Sequence, residues 1–120
     1  MPTYRNRTDE QKFFDEKFTR WKMSARKRGI PFDETLTSKD LIELWEKQKH
    51  RCFYSGIPMT FDKNDKLHLV SIDRVDSSIG YTKENIVLCT YAFNSFKFNY
   101  DVETIVKFIQ EIKNNNYGVK

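Results

Sequence analysis

Two side chains in the second half of the chain have the chemistry to share one hard cation. Asp73 closes an alternating stretch, LHLVSIDR (67–74), and Asn94 lies in YAFNSFK (91–97), whose spacing predicts a helix. Between them come a polar loop with Gly80 and Asn85, and a short apolar run, Ile86–Leu88, that reads as a second strand. A carboxylate and an amide oxygen are hard donors, suited to Mg2+ or Mn2+ rather than to a soft metal. An Asp at a strand end more commonly caps a turn. Here Arg74 follows it directly, and Lys97 lies three residues beyond Asn94 on the same helical edge. Helical geometry groups Asn94 with Thr90, Tyr91, Lys97 and Phe98 and turns Ala92 and Phe96 toward the core.

The elements that must position these groups are legible on both sides. Thr8 and Gln11 form a capping-box pattern ahead of Phe14, Phe18, Trp21 and Ala25, so a helix over about Asp9–Lys27 is predicted, closed by Gly29 and Pro31. Its aromatic stripe reads as core rather than as a base-stacking platform. Thr37 and Asp40 start a second helix carrying Leu41, Leu44, Trp45 and Gln48 to about Lys49. CFYSGIPM (52–59) and DKNDK (62–66) read as turns, the second feeding the strand at Leu67 as a hairpin. Asp101 caps a last helix with an apolar stripe of Val102, Ile105, Val106, Ile109 and Ile112 to about Lys113, and NNNYGVK reads as a frayed tail.

Charge is uneven. Residues 1–51 carry 13 Lys/Arg against 9 Asp/Glu, whereas residues 52–120 carry 8 of each. Arg20, Lys22, Arg26, Lys27 and Arg28 come with no acid among them, and Arg5 and Arg7 mark residues 1–7 as a flexible basic arm. Such a segment is either a solvated helix face or a phosphate-binding surface. No apolar run reaches bilayer-spanning length and the N-terminus lacks a signal-peptide core, so a soluble intracellular protein is expected. Cys52 and Cys89 are too few for a disulfide framework.

Taken together, CFYSG (52–56), SIDR (71–74), GYTKENI (80–86) and LCTYAFNSFK (88–97) resemble the HNH endonucleases of the ββα-metal superfamily. The resemblance covers about residues 51–99. Residues 20–50 are similar, more loosely, to the helical lead-in of phage and mobile-element members. It implies an α+β fold, with a basic helical lead-in over 1–50, a ββα-metal core over 51–99 and a C-terminal helix over 100–113. It further implies that Asp73 is the metal-binding carboxylate and that Asn94 completes the metal site. Asn85 would pin the loop through hydrogen bonds, and Lys97 would face the DNA backbone.

Two positions depart from that pattern. Arg74 stands where the family has the His that serves as general base, and an Arg keeps its proton at any working pH. It can instead clamp the scissile phosphate. His68 lies about 20 Å from Arg74 at strand rise, too far to serve. Tyr54 is the favoured substitute, with Tyr91 and His50 open, although a Tyr needs its pKa lowered from about 10. Secondly, Cys52 is followed by Ser55 and Cys89 by Ala92 where many relatives carry Cys-x-x-Cys pairs, so no structural zinc is expected. The function expected is a metal-dependent DNA endonuclease or nickase, monomeric or homodimeric. A catalytically inactive DNA-binding module on the same fold is the alternative. A basic face that docks an acidic protein partner is a third reading, which leaves the Asp73, Asn85 and Asn94 arrangement unexplained.

Overall fold

The computed structural model describes residues 7–115. Four helices and a two-stranded antiparallel sheet make a mixed α+β architecture among the described residues. The order is α1 (Asp9–Lys27), α2 (Ser38–Lys47), β1 (Val70–Arg74), β2 (Ile86–Thr90), α3 (Tyr91–Lys97) and α4 (Val102–Asn115). Of the basic arm expected over residues 1–7, only Arg7 falls within the described residues; of the NNNYGVK tail, Asn114 and Asn115 do, and both are helical.

Helix α1 begins and ends where its caps dictate. The Thr8 hydroxyl accepts from the Gln11 N–H at 3.0 Å while the Gln11 side chain accepts from the Thr8 N–H at 2.9 Å, filling two donors the helix cannot satisfy itself. Gly29 follows at φ +71°, a left-handed exit. In α2 the Asp40 carboxylate accepts from the Thr37 N–H at 2.8 Å. The α2 helix stops at Lys47, short of the expected Lys49, because Lys49 and His50 both take left-handed backbone angles (φ +56° and +63°).

One hydrophobic core joins these elements. Phe14, Leu41, Val70, Leu88 and Cys89 are fully buried, with Phe13, Trp45, Ile72, Phe93 and Ile105 packed among them. Cys52 and Cys89 are both free thiols inside it, packing as small hydrophobes.

Strand β1 starts at Val70 rather than Leu67. The turn before it extends further than expected, with Leu67 exposed and His68 bound through Nδ1 to Asp65 at 3.0 Å. The strands pair in the register Ile72 opposite Leu88 and Asp73 opposite Val87, and α3 packs against both. The outer edge of β2 is finished by a side chain. Gln48 accepts from the Leu88 N–H at 3.0 Å and donates to the Leu88 carbonyl at 2.8 Å, as a neighbouring strand would.

Two expectations about burial are corrected. It is Phe93, not Phe96, that faces the core from α3: Phe93 stacks on Tyr54 with centroids 5.2 Å apart, while Phe96 is exposed. In α4 only Ile105 of the expected stripe is buried; Val106, Ile109 and Ile112 stand about half exposed because nothing among the described residues covers that face beyond its first turns.

Candidate functional site

The turn at Cys52–Met59 is built by chain reversal. The Cys52 N–H donates to the Ile57 carbonyl and the Gly56 N–H to the Cys52 carbonyl, both at 2.9 Å, with Gly56 at φ +73°. The Phe53 N–H then donates to the Leu88 carbonyl at 3.0 Å, fixing the turn to β2 and presenting Tyr54 to the end of β1.

There the structure assembles three of the expected residues. The Tyr54 hydroxyl donates to Asp73 Oδ2 at 2.6 Å. Lys97 Nζ reaches the same oxygen at 2.5 Å, the Tyr54 oxygen at 2.9 Å and the Arg74 carbonyl at 3.3 Å. The Asp73 and Lys97 side chains are only 16% and 15% exposed, so this is a sheltered, charge-assisted cluster. Lys97 therefore turns inward onto the carboxylate in this structure, rather than outward as a free contact for a DNA backbone.

Asn94 is anchored from behind. Its Nδ2 donates to the Ser71 hydroxyl at 3.1 Å and to the Ile72 carbonyl at 3.4 Å, so Oδ1 is the half of the amide not tied to β1. Ser71 was not singled out from the sequence. Its signal was present: it sits two residues before Asp73, on the same face of the strand.

Asn85 is buried and forms the hydrogen bonds expected of a loop pin. Its Oδ1 accepts from the Asp76 N–H at 2.9 Å, and its Nδ2 donates to the carbonyls of Asp76 and Gly80, each at 3.0 Å. The same loop docks on the α1–α2 link through Tyr81 N–H to the Pro31 carbonyl and Asp33 N–H to the Tyr81 carbonyl, both at 2.9 Å. A Cβ at Gly80 would collide with the Pro31 carbonyl oxygen and come within 2.9 Å of the Pro31 Cβ, so this approach requires glycine.

Arg74 extends along that loop. Its guanidinium donates to the carbonyls of Ser77 (2.7 Å) and Ile79 (3.1 Å) and lies 5.3 Å from the centre of the Tyr81 ring. Arg28, from the end of α1, donates to the Tyr81 hydroxyl at 3.0 Å. Both arginines line an open cleft of about 920 Å³ that also contains Asp73, Asn94 and Lys97.

The other basic residues of α1 do not converge on this cleft. Glu34, from the α1–α2 link, pairs with Lys22 at 3.1 Å and Arg26 at 3.0 Å, and Arg20 pairs with Glu16 at 3.4 Å. Lys22 and Arg26 of the acid-free run thus gain an acid from outside α1, whereas Arg20 uses Glu16 one turn earlier on the same helix; with Glu34 and Arg20 well exposed, these pairs are weak.

The candidates for a proton acceptor fare unequally. Burial, then the hydrogen bond to the Asp73 carboxylate, pushes the Tyr54 hydroxyl well above the ordinary tyrosine range. That is the reverse of the lowering a general base requires, and Tyr54 acts here as a donor that orients Asp73. His50 stacks on Trp45 at 4.2 Å and faces Glu46 at 3.3 Å, away from the cleft. Tyr91 lines the cleft.

Asp73 and Asn94 bring two hard oxygen donors to one cleft, and the carboxylate is paired with the Lys97 ammonium. A second group, the part-buried Glu10 with the exposed Glu46 and His50, brings its ligand atoms within 4.8 Å of one another on the α1–α2 side. Of the cysteines, burial pushes the Cys89 thiol up. For Cys52 burial acts in the same direction, but donors from Ser55, Thr90 and Tyr54 outweigh it and the net direction is down.

No family model matches the chain, and no solved structure matches it. It is 32% identical over 56 residues to an uncharacterized 29.0 kDa protein of the dda-modA intergenic region of Enterobacteria phage T4, covering 47% of this chain and 22% of that protein. It is 29% identical over 99 residues to an uncharacterized protein of Acanthamoeba polyphaga mimivirus, covering 82% of this chain and 17% of that one. The chain thus spans about a fifth of the length of these viral relatives. No helix among the described residues is long and apolar enough to cross a membrane.

Proposed function

We propose that the protein is a metal-dependent DNA endonuclease or nickase working from a ββα-metal arrangement of β1, β2 and α3. The observation that carries this reading is the convergence of Asp73, Asn94, Arg74 and Lys97 on one cleft. Asp73 and the Asn94 oxygen would hold a Mg2+ or Mn2+ ion. When bound, such an ion supplies Lewis-acid stabilisation of the oxygen that leaves the phosphorus.

The chain's own residues do the rest. Arg74, braced on the loop carbonyls by part of its five-donor guanidinium, offers its remaining N–H groups to the scissile phosphate. Lys97, which sits on Asp73 in this structure, would be the cation free to reach a phosphate oxygen were a metal to neutralise that carboxylate. Tyr54 keeps its proton and holds Asp73 in position. Arg28 and the exposed cations of α1 bear on flanking backbone.

The test is conversion of supercoiled plasmid to open circle in Mg2+, Mn2+ or EDTA, for wild type and Asp73→Ala. Cleavage that needs the metal and is lost in the variant is expected. One observation favours the inactive DNA-binding module as a second reading: the Lys97 ammonium already neutralises Asp73, and Arg74 cannot act as a base. Salt-sensitive binding by both proteins with no cleavage by either would select it.

A further inference from the structure

We infer that the cleft receives an unpaired nucleotide, so that the preferred substrate is single-stranded or locally unpaired DNA rather than continuous duplex. This rests on the reading above for DNA as the partner, but on different residues for the state of the strand.

Five aromatic side chains line the same cleft as Asp73: Trp21, Tyr81, Tyr91, Phe98 and Tyr100. Three of them are out in solvent, Tyr91 at 51%, Tyr100 at 56% and Phe98 at 87% exposure. Phe98 caps the end of α3 and contributes almost nothing to the core, so its ring is not explained by folding. Helix α1 walls the cleft with Trp21, Ser24 and Arg28, and the α3–α4 link walls it with residues 98–101.

The charges suit a backbone threading past those rings. Arg28, Arg74 and Lys97 line the cleft against Asp73 and Asp101. Asp73 is matched by Lys97, and Asp101 is occupied at the start of α4, where the Thr104 hydroxyl and then the Thr104 N–H lower its pKa. Aromatic faces beside a cationic track are how proteins hold single strands, because every base has a π-face. In a continuous duplex both faces of each base are covered by its neighbours, so Phe98 and Tyr100 stack at least cost on a base that is unpaired or has left the helix.

The test is anisotropy of one labelled oligonucleotide in EDTA, presented as single strand, as a duplex with an unpaired bulge and as a fully paired duplex. Wild type, Phe98→Ala and Tyr100→Ala are compared, and melting curves confirm that these exposed substitutions leave the fold intact. Wild type is expected to bind the unpaired forms about tenfold more tightly than the duplex, and Phe98→Ala to lose about tenfold on those forms alone. Equal affinity for all three forms, or a loss spread equally over them, overturns the inference. Sedimentation showing a wild-type dimer that Phe98→Ala dissociates also overturns it, by assigning the ring to a second copy of the chain. The two readings fail separately. Plasmid cleavage without the strand preference removes this inference and keeps the nuclease, whereas the preference without cleavage does the reverse.

Discussion

The corner around Asp73 and the surface around Glu34 are both built from one carboxylate facing two hydrogen-bond donors, and they differ mainly in water. Asp73 faces Lys97 and Tyr54 with its side chain 16% exposed; Glu34 faces Lys22 and Arg26 with its side chain 71% exposed. In the sheltered corner the partners are desolvated, and removing one leaves the other uncompensated. On the surface, water and salt replace whatever is lost. The number of ion pairs near a residue therefore says little. Their shelter decides which are worth perturbing.

The largest effect is expected from Asp73→Asn, which keeps the shape and removes the charge. Metal-dependent nicking should fall by about 10²–10³ or more, measured as initial rate on supercoiled plasmid, while DNA binding in EDTA persists. Next is Lys97→Met, which strands the carboxylate and should cost about 3 kcal/mol of stability in urea titrations. If a divalent ion shares that carboxylate, added Mg2+ should raise the melting temperature of Lys97→Met by more than it raises that of wild type. An equal response in both would separate the cation site from Asp73.

Gly80→Ala probes the support behind the corner. The added methyl meets the Pro31 carbonyl, and a loss of about 1–3 kcal/mol in the same titration is expected, together with weakened nicking as the Arg74 loop shifts. A smaller effect follows from Tyr54. Its folded-state pKa is raised, so the folded protein holds that proton longer than the unfolded chain does. The stabilisation is complete below the unfolded value of about 10 and declines as pH rises beyond it. Stability should fall more steeply at alkaline pH in wild type than in Tyr54→Phe. The smallest effect should come from Glu34→Gln. Melting should be unchanged, while DNA affinity rises and its salt dependence steepens as Lys22 and Arg26 are released.

Several features were legible because the deciding contacts were near in sequence. Thr8 with Gln11 and Thr37 with Asp40 set helix starts from three residues away, and Asn85 closes its loop on Asp76 and Gly80, nine and five residues back. Other features depended on distant partners. Glu34 reaches back to α1, Gln48 finishes β2 forty residues on, and α3 buries Phe93 because that is the ring Tyr54 stacks on. The exposed stripe of α4 shows the same limit, since periodicity identifies an apolar face but not what covers it.

By itself the sequence determined the helix caps, the strand–loop–strand–helix order, the left-handed turns at Gly29 and Gly56 and the identity of the groups able to hold a cation. These depend on backbone sterics and on hydrogen bonds that close within a few residues. Only the tertiary structure decided that Lys97 turns inward, that burial raises the Tyr54 pKa rather than lowering it, that Lys22 and Arg26 pair with Glu34, and that five aromatic rings share the cleft with Asp73. Each of these depends on which surfaces are desolvated when distant segments pack, and desolvation belongs to the folded assembly rather than to any residue in it.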